Sequence, residues 1–130
     1  MQGYHSNIEE LVAGNENFRK VLYTAKFSQL VLMSLKAGEE IGVEVHTQDQ
    51  FFRFESGNGK VIIDANEYEV SDGHVIIVPA GSTHNVINTS SEPLKLYTLY
   101  CPPHHADGTV HATKADAEAD HEEFDGKTSE

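Results

Sequence analysis

From Phe18 onward the chain breaks into short strand-like segments at regular spacing, with Gly, Asn, Ser and Asp turns, and this rhythm constrains the fold most. Segments of four to eight residues with period-two alternation suit half-buried strands and are too short for helices. The expected strands are Phe18 to Ala25, Phe27 to Leu35, Ile41 to His46, Gln50 to Glu55, Lys60 to Asp64, Asn66 to Val70, His74 to Val78, Thr83 to Asn88 and Pro93 to Tyr100. The turn Ser56-Gly57-Asn58-Gly59 ahead of Lys60 reads as a hairpin signal. Only Ser6 to Val12 looks helical, with Ser6 as N-cap and Glu9 as its capping-box partner. No helical pattern follows residue 14, so the class is all-β, a sandwich or a small barrel.

Within this frame, residues 38 to 88 carry two polar clusters. The first holds Glu44-Val45-His46 and then Gln50; the second holds Pro79, Gly81 and His84. Residues two apart on a strand share a face, so Glu44 and His46 project together, and Gln50 joins them if the strand continues without a bulge. With His84 from a neighbouring strand, four N/O donors meet, a set that binds a divalent transition metal such as Zn, Fe, Mn or Ni. Asp49 has the opposite parity and becomes a ligand only if a bulge reverses the register. Phe52 and Phe54 share the parity of Gln50 and are expected in the core, with Arg53 outward. Tyr97 and Tyr100 fall on opposite faces, so at most one of them looks inward.

The spacing of these clusters resembles the two signatures of the cupin superfamily. Gly38, Glu44, His46, Gln50 and Gly57 stand at the spacing of the first, and Gly73, Pro79, Gly81, His84 and Asn88 match the second at every position. The resemblance implies a double-stranded β-helix, a jelly-roll barrel with one metal inside one end, and a homodimer packed across a two-fold. Glu44 replaces the first histidine of the common pattern and Gln50 its glutamate, leaving two imidazoles, one carboxylate and one amide. Among such small single-domain proteins the mannose-6-phosphate isomerase-like type is the nearest in kind. It implies a metal-dependent enzyme acting on a small oxygenated substrate. The alternatives are a metal-dependent dioxygenase and a non-catalytic binding or sensor module.

Composition narrows the partners. A formal charge of −12 among 130 residues argues against nucleic acid and anionic membrane, both of which demand basic surface. One cysteine, Cys101, and the lack of a signal-like N-terminus or an 18-residue apolar run suggest a cytoplasmic protein. The organisation expected is a helical segment over 1–14, the barrel over 15–101, and a polar, partly flexible extension over 102–130. That extension carries eight acids against two lysines, half of the net charge, and reads from Ala117 as a solvated tail. Its His104, His105, His111 and His121 have no regular ligand spacing. Folded back as a lid over residues 102 to 115, the extension would let His105 or His111 reach the pocket as an acid/base group near its ordinary pKa of about 6.5.

Overall fold

The computed structural model describes all 130 residues. In chain order the elements are α1 (Ile8–Gly14), β1 (Arg19–Thr24), β2 (Gln29–Leu35), β3 (Glu44–Val45), β4 (Asp49–Ser56), β5 (Asn58–Ile63), β6 (Asn66–Ser71), β7 (Val75–Val78), β8 (Thr83–Asn88), β9 (Leu94–Cys101), β10 (Val110–His111) and α2 (Lys114–Ala119). They form two antiparallel sheets facing each other, ordered β10-β1-β2-β9-β4-β7 and β3-β8-β5-β6. This is the expected jelly-roll architecture, with the alternation of each strand sending one face inward. Phe52, Phe54, Val31, Leu35, Leu94, Leu96, Val61 and Val86 are fully enclosed between the sheets.

Three local expectations need correction. Asn7 rather than Ser6 caps α1, its side chain accepting from the Glu10 backbone N–H at 3.2 Å. Asn is as good an N-cap as Ser, and Val12 is the buried residue of this helix. Lys95 Nζ donates to Ala13 O at 2.8 Å and ties the end of this helix to β9.

The glycine-rich turn after β4 is not a hairpin, because β4 pairs with β7 and β9 while β5 pairs with β6 and β8. Its glycines let the chain cross between sheets: Gly57 has φ +92°, and a Cβ there would lie 2.4 Å from Pro93 O. The true hairpin joins β5 to β6, turning through Asp64 at φ 53°.

The C-terminal extension is built into the body. β10 pairs with β1, adding a strand to the larger sheet. Helix α2 follows, where no helix was expected, closed by a capping box between Thr113 and Asp116. Beyond it the chain lies along the barrel instead of trailing into solvent: Phe124 N–H donates to His104 O at 3.0 Å and Ser129 N–H to Thr24 O at 2.9 Å. Glu130 accepts from the Gln2 and Gly3 amides and from the Tyr23 hydroxyl. Short polar segments of this kind carry no apolar period, so their order comes from hydrogen bonds that the sequence pattern does not record.

Candidate metal centre

Antiparallel pairing of β3 with β8 sets Glu44 directly opposite His84. His46 follows the end of β3, its carbonyl accepting from Gly81 N–H at 2.8 Å. The His46 and His84 rings stand 5.2 Å apart, and His46 Nε2 lies 3.1 Å from Glu44 Oε2. The strand does not continue to Gln50. Thr47 and Gln48 form a bend that carries the chain into the other sheet, yet Gln50 still faces inward and is 2% exposed. Tyr100 lies opposite Gln50 in the β4–β9 register and sets its ring 5.7 Å from that of His46. Tyr100, not Tyr97, is thus the tyrosine that looks into the barrel. Asp49 points away, as its parity requires, and accepts from Ala80 N–H at 2.9 Å.

The C-terminal segment roofs this end of the barrel. Gln29, fully buried on β2, accepts from the His104 and His105 amides at 3.1 and 2.9 Å and donates to His105 O at 2.8 Å. Gln48 Nε2 donates to Pro103 O at 3.2 Å. Held this way, His104 packs its ring 4.4 Å from that of His46. His104 was legible only as part of an irregular histidine tract; the Pro102-Pro103 stop just before it is the signal that it lies at the barrel mouth. His105 Nδ1 meets Glu122 Oε1 at 2.6 Å, and its Nε2 lies 3.3 Å from the Tyr100 hydroxyl. It therefore sits one side chain behind the four expected residues. His111 stands farther off, buried between Arg19 Nη1 at 3.1 Å and Asp120 Oδ2 at 2.9 Å.

Residues 31–100 match the family model described as the Cupin domain. The chain belongs to the cupin family. It is similar to the YrkC protein of Bacillus subtilis, 49% identical over 120 residues, which span 87% of this chain and 64% of that protein. Protein L612 of Acanthamoeba polyphaga mimivirus is 39% identical over 114 residues, 84% of this chain and 71% of that one. Among solved structures, the BH2720 protein of Bacillus halodurans shares 44% identity with a TM-score of 0.90, over 92% of this chain and 96% of that one.

In this cupin, the residues at the ligand positions fit a cation. Gln50 Oε1 is buried and has no hydrogen-bond partner, and the buried His46 Nε2 has only the Glu44 carboxylate, at 3.1 Å. Leaving a buried carbonyl oxygen without a partner is costly, and a metal ion is an occupant that would satisfy it. His84 Nδ1 sits 3.2 Å from Ser82 O. As an N–H donor there, it leaves Nε2 with a free lone pair, the outer-shell arrangement usual for a ligating histidine. No three His, Cys, Asp or Glu side chains converge at ligand geometry.

Burial raises the Glu44 carboxyl, but His46, Arg19 and His84 outweigh it, so Glu44 is held below its ordinary range and is ionised. Burial pushes the His84, His104 and His105 imidazoles down, His104 to about 4, with neighbouring His105 and His46 adding to its shift. A histidine depressed in the folded state contributes stability that is full above the unfolded pKa of about 6.5. That stability is lost as pH falls through the folded value. The metal-free protein should therefore lose thermal stability between pH 7 and pH 4. The His104 share is about 1–2 kcal/mol, since its partly open face is screened by water. Melting curves across that range should show a steeper slope for the parent than for His104→Gln. Equal slopes would mean that His104 does not contribute.

Proposed function

We propose that this cupin holds one divalent transition metal through Glu44, His46, Gln50 and His84 and uses it on a small oxygenated substrate, in the manner of a sugar isomerase. The observation that carries the reading is the buried, partnerless Gln50 Oε1, with Glu44, His46 and His84 brought together, at ligand positions of the family signature. A bound metal would supply Lewis-acid polarisation of substrate hydroxyl and carbonyl oxygens. The chain's own contributions are distinct. The roof formed by His104 and the segment around Glu122 limits water at the centre. The Glu122–His105 pair, abutting the Tyr100 hydroxyl, offers a place to hold a proton close to the substrate.

A phosphorylated sugar is the less favoured substrate, because Arg19 and Lys114 are the only cations lining the adjoining cavity, among Glu44, Glu118, Asp120, Glu122 and Glu123. A second reading is an oxygenase. Glu44, His46 and His84 make a two-histidine, one-carboxylate set, which suits ferrous iron with open positions.

Elemental analysis of untagged protein tests the reading. About one transition metal per chain is expected in the parent, with loss in Glu44→Ala and His84→Ala. Zinc would direct assays to isomerisation, and iron or manganese to oxygen uptake. No metal even after reloading would sink both readings and leave a binding pocket without turnover. Light scattering on the same samples should give the mass of a dimer, which the half-exposed Val75 and more exposed Ile77 on edge strand β7 support.

A further inference from the structure

Arg19 is a charged group near this centre that the proposed ligand set leaves unused. It opens β1, shares the inward parity of Val21, and is only 8% exposed. It enters none of the chain's ion pairs. Glu44 and Glu122 both feel its charge, but neither closes on it. A buried guanidinium without a carboxylate partner is costly and calls for an explanation.

Its hydrogen bonding is one-sided. Nη1 meets His111 Nδ1 at 3.1 Å, and Asp120 Oδ2 engages the other nitrogen of that ring at 2.9 Å. With the ring proton on Nε2, donated to Asp120, His111 Nδ1 accepts from Arg19 and fixes the orientation of the guanidinium. The opposite edge makes no hydrogen bond: Nε is buried and partnerless, and Nη2 has none of its own. That edge carries two parallel N–H donors, the fork that matches a carboxylate, with Nε enclosed and Nη2 at its open end. Arg19 also lines a cavity of about 350 Å³ that reaches Glu44, His104, His105 and Lys114.

We propose that Arg19 is the anion anchor of this cavity, taking the carboxylate of a small organic acid at the Nη2 end of its guanidinium while the acid's other oxygens face the Glu44–His46–Gln50–His84 centre. The second half rests on the metal reading above; the anchor itself does not. The acidic rim of Glu118, Asp120, Glu122 and Glu123 favours a singly charged carboxylate over a doubly charged phosphate. His111 and Asp120 are positioning residues in this scheme.

Lactate, with lactamide as its uncharged counterpart, is the probe, titrated calorimetrically into metal-loaded and metal-free protein. The parent should bind lactate at least ~10-fold more tightly than lactamide or inorganic phosphate. Arg19→Gln should abolish that preference with its metal content unchanged, and Lys114→Ala should retain it. Only two arginines occur in the chain, so Arg53→Lys assigns both Nε–Hε resonances, and the Arg19 signal of the parent should move on adding lactate. Absence of lactate binding in both forms of the parent, a preference that survives Arg19→Gln, phosphate binding as tight as lactate, or an unmoved Arg19 resonance would each overturn the proposal. Lactate bound through Arg19 in a chain that takes up no metal would refute the metal centre and keep the anchor.

Discussion

Gln29→Leu should release the roof of the barrel while leaving the two sheets paired. Gln29 is fully buried, and its one amide serves four polar groups: the His104 and His105 N–H donors, the His105 carbonyl and the Thr24 hydroxyl. Leucine has similar bulk but offers none of these partners. Each orphaned buried group costs about 1–3 kcal/mol, so the loss should total about 3–5 kcal/mol unless the segment detaches and its backbone turns to water. Detachment is the cheaper outcome, because residues 102 to 124 are held to the body mostly by such polar contacts rather than by apolar packing. Hydrogen exchange should then show fast amides at His104, His105 and Phe124, with slow amides retained in β2 and β9. Protection at His104 and His105 equal to that of the parent would show that the roof is held by something other than Gln29.

Gly57→Ala should have a comparable or larger effect, felt by the whole domain. Two separate costs meet at this position. The backbone has φ +92°, where an L side chain is strained by about 1–3 kcal/mol. The added methyl carbon would also lie 2.4 Å from Pro93 O and 3.0 Å from Leu94 Cα. Those atoms belong to the start of β9, the strand between β2 and β4 in the larger sheet, so they cannot give way cheaply. Together the expected loss is about 3–5 kcal/mol, which lowers the denaturation midpoint or prevents soluble expression. Gly73→Ala makes a useful comparison: its φ is also positive, at +87°, but nothing lies within 4 Å of the added carbon, so only the strain remains. Equal midpoints for the two variants would rule out close approach as the reason for Gly57.

The contrast between these glycines bears on how much was legible. Both stand at signature positions in the sequence, and both have positive φ. The hairpin expected at Gly57 fails because the residue serves a contact with Pro93, thirty-six positions away, and no local pattern reports a contact of that range. The burial of Phe52, Phe54 and Gln50 on one face follows from strict two-residue alternation along β4, so it was available from the sequence alone. The bounds of β8, Thr83 to Asn88, were also legible to the residue. Glu44 and His46 were likewise expected on one face, and β3 places Glu44 against His84.

Arg19 and His104 show where that reasoning stops. Arg19 has the same parity as Val21, which places it inward; but an inward arginine looks implausible until the structure sets His111 and Asp120 beside it. His104 belongs to a segment without period, so its direction follows from Gln29 and Gln48, which lie in other strands and loops. The all-β class, the inward face of β4 and the shared face of Glu44 and His46 were determined by the sequence itself. They rest on alternation and spacing, which are properties of neighbouring residues. Which sheet each strand joins, the roof over the barrel, the choice of Tyr100 over Tyr97 and the unpaired edge of Arg19 were decided only by the tertiary structure. Each depends on hydrogen bonds and close contacts between residues far apart in the chain, which local pattern does not encode.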